Sequence, residues 1–79
     1  MKTAQEETVY FDEADAIFDI VAEVNEKEED VYNQLIFIIY QRTNGTLSHE
    51  LRIPIVTKQE VLDLAAKIKK LAKHFPSKI

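Results

Sequence analysis

The residues of this chain that could do chemistry are acids and two histidines. The acids gather in a string from Asp12 to Asp15 and in the run 26–30, and the histidines are His49 and His74. Carboxylates and imidazoles serve as metal ligands and general bases, but the run 26–30 lacks the alternating spacing of a calcium loop. No serine, threonine or lysine stands beside an activating base. We therefore expect no catalytic residue, no metal site and no cofactor.

The acidic string belongs to a longer segment, Val-Tyr-Phe-Asp-Glu-Ala-Asp at residues 9–15, which resembles the magnesium-binding motif of DEAD-box helicases. In those enzymes the first Asp holds the metal on a nucleotide that a phosphate loop grips, and the resemblance implies that role for Asp12. The chain has a single glycine, however, and no Gly-x-x-x-x-Gly-Lys-Ser/Thr. We therefore interpret Asp12–Asp15 as the start of a helix and predict that the protein is not an enzyme.

The length and composition predict one small domain over residues 1–79, with residues 1–7 frayed. Hydrophobic residues make up 46% of the chain and charged residues 30%, which is enough apolar content for a core. The chain has no cysteine, as is typical of proteins in a reducing compartment. The longest apolar run, residues 35–40, is far shorter than a membrane span. We therefore expect a soluble cytoplasmic protein that does not bind a membrane.

The charge of the chain is divided between its two halves. Residues 1–30 carry eleven acidic residues against two lysines, a net charge of −9, whereas residues 31–79 carry eight Lys or Arg against three acidic residues, a net charge of +5. Two interpretations are open. Either the two halves lie side by side and neutralise each other, which we favour, or the acidic surface stays free for a basic partner.

A β-hairpin is predicted between residues 35 and 56. Residues 35–40 are apolar at every position, residues 47–53 alternate, and Asn44-Gly45 is a strong signal for a two-residue turn. With these two residues at the centre of the turn, the predicted cross-strand pairs are Tyr40–His49, Ile38–Leu51 and Ile36–Ile53. This register places His49 on the face that packs against the helices, where we expect it to be buried and hydrogen-bonded.

The same register leaves three large apolar side chains, Leu35, Phe37 and Ile39, on the outer face of the hairpin. Glu50 and Arg52 share that face and would form a polar rim around the trio. Because an exposed apolar group of this size usually marks an interface, we predict that the protein forms a homodimer through these five residues.

Two segments have helical periodicity. In the second, Thr57 and Glu60 form a capping box, Pro76 ends the helix, and an apolar stripe follows the 3.6-residue period at Val61, Leu64, Ala65, Ile68, Leu71, Ala72 and Phe75. In the first, residues 12–25, a helical stripe competes with the two-residue alternation of a strand: Ala14, Ile17, Val21 and Val24 against Phe18, Ile20, Ala22 and Val24. We favour the helix, with Asp12 as its N-cap, and keep the strand as the alternative.

The predicted fold is α+β, with two layers in the order (β)αββα. A small antiparallel sheet is centred on the hairpin at residues 31–56, residues 8–11 could add an edge strand, and two helices pack on one face. The alternative is a three-stranded meander, with residues 17–25 as its first strand, followed by one C-terminal helix.

Three functions are compatible with this sequence. The first is a non-enzymatic protein–protein interaction or regulatory protein that self-associates and also binds an unidentified protein. The second is an acidic inhibitor of a host or DNA-binding protein, of the kind that phages and mobile elements encode, which imitates DNA with acids on one helix face: Asp15, Asp19, Glu23 and Glu26. The third, which the net acidic charge disfavours, is a nucleic-acid-binding module that uses Lys67, Lys70 and Lys73.

Overall fold

The chain forms a four-stranded antiparallel meander followed by one helix. The computed structural model describes residues 2–25, 33–54 and 56–77. The strands lie side by side in chain order. The elements are β1 (Lys2–Phe11), β2 (Ala16–Asn25), β3 (Gln34–Gln41), β4 (Leu47–Pro54) and α1 (Lys58–Ala72). The α+β class is confirmed, and the architecture is that of the alternative, a meander with a single C-terminal helix, extended by one further strand.

The predicted helix at residues 12–25 is wrong, because this segment is a turn followed by β2. This segment is a strand because β2 pairs with another strand on each side, with β1 on one and β3 on the other. An interior strand is partly covered on both faces, so both faces carry apolar residues and the alternation in the sequence is imperfect. Val21, which breaks the polar side of the pattern, lies opposite Ile36, a residue that is 2% exposed.

Strand β1 pairs along its whole length with β2, from Lys2 opposite Asn25 to Phe11 opposite Ala16. Residues 8–11, predicted as an edge strand, are its last part, and residues 2–7, which we expected to be frayed, are its first. The polar residues 2–7 are thus held in the sheet by backbone pairing. β1 and β4 are the two edge strands of the sheet.

The hairpin of β3 and β4 is confirmed, but its register differs by one residue from the prediction. The predicted two-residue turn needs positive φ at both central residues, and in this loop only Gly45, with φ of 69°, has it. The loop is therefore longer: the Gln41 amide donates to the carbonyl of Thr46, and the Gly45 amide donates to that of Gln41. A bulge next to Tyr40 then shifts the ladder again.

Together, the longer loop and the bulge change which residue of β4 lies opposite each residue of β3. The observed pairs are Leu35–Ile53, Phe37–Leu51 and Ile39–His49. Because a slip of one residue moves side chains to the other face, Leu51 and Ile53 share a face with Leu35, Phe37 and Ile39 rather than with Ile36 and Ile38. His49 also lies on that face and is exposed, so its predicted burial is wrong.

Helix α1 begins as the sequence predicts. Thr57 is the N-cap: its hydroxyl accepts from the Glu60 amide at 3.2 Å, and its own amide donates to the Glu60 carboxylate at 2.8 Å. This capping box satisfies two backbone N–H groups that a helix start leaves without partners. Within the ranges that the structure describes, no helix is long and apolar enough to cross a membrane.

The helix does not pack across the sheet. No Cα atom of α1 lies within 8 Å of a strand Cα among the described elements. The molecule is accordingly flat, with extents of 46 × 32 × 15 Å and a radius of gyration of 14.9 Å, against about 12 Å for a compact domain of this length. Among the described residues, only Leu35 and Ile36 are buried apolar side chains.

Candidate interaction surface

One face of the sheet is mostly apolar, because the register aligns apolar positions of all four strands. We call it the apolar face. Its apolar members are Val9, Phe11, Phe18, Ile20, Ala22, Val24, Leu35, Phe37, Ile39, Leu51 and Ile53. Its polar members lie on β1, β3 and β4 and are Thr3, Gln5, Glu7, Gln41 and His49. No described element covers its centre, and its members on the two outer strands are exposed.

A row of aromatic rings crosses this face. Phe11 meets Phe18 edge to face, with ring centroids 6.4 Å apart, and Phe18 stacks on Phe37 at 5.6 Å. Such contacts stabilise cross-strand pairs. The aromatic row is also a large apolar surface, and no described element packs over it.

The second apolar surface is one side of α1. We call it the helix stripe, and it consists of Val61, Leu64, Ala65, Ile68, Leu71, Ala72 and Phe75. Every one of these residues is exposed, and Phe75, just beyond the helix, reaches 72%. An amphipathic helix is stabilised mainly by burying such a stripe, and among the described elements of its own chain α1 has no partner that buries it.

Among the described residues, the two apolar surfaces meet at the first turns of the helix. Val61 and Leu64 line an open cavity of about 260 Å³ together with Leu35 and Ile53. This contact explains why Leu35, at 6%, is the most buried residue of the apolar face. Beyond Leu64 the helix stripe leaves the sheet, and the turn end of the apolar face stays open.

The opposite face of the sheet, which we call the polar face, carries the charged residues of β2 and β4, and side-chain hydrogen bonds lie on it. It also carries apolar residues, which include Ile17, Val21, Ile36 and Ile38. Thr8 donates to Asp19 at 2.8 Å and Gln34 to Glu23 at 2.9 Å. Arg52 donates to Glu50 at 2.7 Å, and this bond raises the pKa of the Arg52 guanidinium above its ordinary value.

The acidic string at residues 12–15 is the turn between β1 and β2, not a helix start. Asp15 has a φ of 53°, which Asp tolerates better than most residues. Its carboxylate accepts from the Thr43 hydroxyl at 2.7 Å, and Asp12 pairs with Arg42, whose guanidinium lies over the Tyr10 ring. The string thus joins the two loops at one end of the sheet, which gives the helicase-like residues a structural role.

The residues predicted for the dimer interface fall on two faces. Leu35, Phe37 and Ile39 lie on the apolar face, whereas Glu50 and Arg52 lie on the polar face and cannot form a rim around the trio. The error follows directly from the register. Sequence reasoning also missed the partners of the trio on β1 and β2, because it assigned residues 12–25 to a helix.

The residues predicted for charged faces are also dispersed. Asp15 is in a turn, Asp19 and Glu23 are on the polar face, and Glu26 lies outside the described residues. The single acidic helix face predicted for a DNA mimic is therefore wrong. The lysine face of α1 is present and exposed, with Lys70 and Lys73 opposite the helix stripe and Lys67 nearer to it.

Within the described structure, the acidic and basic halves of the chain are joined by the ion pair between Asp12 and Arg42, and this neutralisation does not extend to α1. Residues 2–25 carry seven acidic residues against one lysine, a net charge of −6, and residues 56–77 carry five lysines against two acidic residues, a net charge of +3. No lysine of α1 forms an ion pair with a described residue. The two halves lie side by side where β2 pairs with β3, but the lysines of α1 take no part in that contact among the described residues.

In the part of the chain that the structure describes, no three His, Asp or Glu side chains are grouped to hold a metal ion. A scan against protein-family models finds no match for this chain, and neither do searches of curated proteins and of solved structures.

Proposed function

We propose that this chain is a self-associating interaction protein that works as a symmetric homodimer, with the apolar face and the helix stripe buried between the copies. The area exposed by a single chain carries the proposal. It is 6789 Å², whereas a folded monomer of this mass exposes about 4,900 Å². The surplus is about 1,900 Å², and an obligate homodimer buries about 1,000–2,500 Å² on each partner.

The stability of the fold supports the same conclusion. Folding fixes the backbone at about 1–2 kcal/mol per residue, and burial of apolar side chains must offset that cost. With only Leu35 and Ile36 buried among the described residues, one chain has little burial to set against its conformational entropy. Dimerisation supplies the missing burial, so folding and association are coupled.

The edges of the sheet are poorer candidates for self-association than its apolar face. Antiparallel pairing of two β1 strands about their middle would bring Glu6 and Glu7 of one copy against the same residues of the other, and like charges opposite each other are destabilising. On β4, Pro54 cannot donate to a ladder and a bulge interrupts the strand. The strands of the apolar face carry one carboxylate on that face, Glu7 on the outer strand β1, and the centre of the face is free of charge.

A symmetric pair leaves the polar face of each sheet outward. A closed dimer is the commonest arrangement when one surface patch pairs with itself. The outward face carries Asp19, Glu23 and Glu50 against Arg52, so a basic protein is the partner class that fits it. In this account the dimer is a regulatory or inhibitory protein that acts by binding, and its role in the cell follows from that partner.

The concentration dependence of thermal unfolding tests the proposal. If folding and dimerisation are coupled, the Tm rises as the protein concentration increases from micromolar to millimolar. Circular dichroism at 222 nm follows the transition. A cooperative transition with the same Tm at all concentrations, from a particle of monomer mass, would overturn the proposal.

A further inference from the structure

We infer that each copy docks its helix stripe on the apolar face of the other, so that the two helices are exchanged reciprocally between the sheets. This inference rests on the proposed homodimer and adds its geometry. The competing geometry pairs the two sheets directly and leaves the helices to pack on each other. Size, exposure and charge favour exchange.

The dimensions of the sheet require more than one helix to cover it. Strands of eight to ten residues extend about 26–33 Å, whereas a helix with its side chains is about 10–12 Å wide. The chain's own helix covers only the end near Leu35 and Ile53, through its first turns. The partner's helix fits the remainder of the face.

The open part of the apolar face is the part that a second helix would reach. Val9 and Phe11 on β1 and Leu51 on β4 are exposed by 42%, 49% and 58%, and the aromatic row runs between these outer strands. The part of α1 that leaves its own sheet, from Ala65 to Ala72, is about 12 Å long, which is close to the distance of about 14 Å between the outer strands of a four-stranded sheet. The free part of one helix therefore crosses most of the width of the face.

Charge selects the partner's helix for this position. Lys67 and Lys69 flank the helix stripe on its two sides, at about 100° from its centre. The open part of the apolar face is bordered by acids, Glu7 on β1 and Glu13 in the turn beside Phe11. Docking the basic helix of one copy on the acidic border of the other pairs charges that have no oppositely charged partner among the described residues of one chain.

A charge-swap experiment tests the exchange. The variant K67E/K69E has acidic stripe flanks, and the variant E7K/E13K has a basic sheet border. Each variant alone places like charges at both docking sites, and we expect its homodimer to be weaker by roughly tenfold or more at low salt. An equimolar mixture restores opposite charges at both sites, so the two variants should form a heterodimer of near wild-type affinity.

The control is K70E/K73E, which makes the same change in net charge as K67E/K69E but on the side of the helix away from the stripe. We expect it to leave the homodimer affinity within about threefold of wild type. Sedimentation equilibrium at 20 mM and 500 mM NaCl measures each affinity. If the wild type is a dimer but both interface variants retain its affinity, or if the mixture shows no preference for the heterodimer, the exchange is refuted and the homodimer stands. A monomeric wild type refutes the homodimer itself.

Discussion

Replacement of Leu71 by Ser, compared with the same replacement at Leu62, isolates the contribution of the helix stripe. Both leucines are on α1, and in a single chain they are 60% and 51% exposed. Leu71 belongs to the helix stripe, whereas Leu62 lies about 120° from its centre. The lower helix propensity of Ser reduces stability in the same direction at both positions, by roughly a few tenths of a kcal/mol, so a difference larger than this between the variants comes from the side of the helix.

The expected magnitude follows from the exposed fraction. Full burial of a leucine side chain stabilises by about 1.5–3 kcal/mol, and the exposed 60% of Leu71 leaves about 1–2 kcal/mol to be gained at the interface. A symmetric dimer contains two copies, so Leu71→Ser should cost about 2–4 kcal/mol of dimerisation free energy, which is about 30- to 700-fold in Kd. Leu62→Ser should change the Kd by less than about threefold.

Sedimentation equilibrium at 25 °C measures both dissociation constants, and far-ultraviolet circular dichroism at matched concentration reports whether helix content is kept. Equal effects of Leu71→Ser and Leu62→Ser on the Kd would refute burial of the helix stripe. A larger effect at Leu62 would mean that the opposite side of α1 forms the interface.

Three further substitutions test other parts of the account. Thr57→Ala removes the N-cap and should lower the free energy of unfolding by about 1 kcal/mol, measured by urea denaturation at fixed protein concentration; no loss would mean that the capping box contributes nothing. Gly45→Ala should lower it by about 1 kcal/mol because of its φ of 69° alone, since no atom lies within 4 Å of the added methyl group; a stabilised variant would contradict the loop conformation. Phe11→Asp should shift the protein towards monomer in size-exclusion chromatography with light scattering, whereas Tyr10→Asp, on the polar face of the same strand, should not, and the reverse result would contradict the register of β1.

Local signals predicted the C-terminal part of the chain well. The helix stripe and the Thr57–Glu60 capping box depend on residues three and four apart, so they can be read from one segment without knowledge of its neighbours. The hairpin at residues 35–54 was predictable for the same reason, from its apolar run and its Asn-Gly loop. Its register was not, because one loop conformation and one bulge, each invisible in the sequence, shift it in opposite directions.

The first half of the chain was harder because its structure depends on distant partners. Residues 16–25 carry both a two-residue and a 3.6-residue pattern, and pairing with β1 and β3 decides between them. Because residues 12–25 were assigned to a helix, the surface predicted from the sequence lacked the residues of β2. Leu35, Phe37 and Ile39 were identified from the sequence, but Phe18 and Leu51, which extend the same face, appear only when all four strands are aligned.

The exposed area of the single chain leads to one central claim, that the protein works as a dimer. Sedimentation equilibrium of the wild type at low micromolar concentration tests it most directly. We predict a particle of twice the chain mass of 9.2 kDa, with folded secondary structure by circular dichroism in the same sample. A folded particle of 9.2 kDa that persists to high micromolar concentration would contradict the claim.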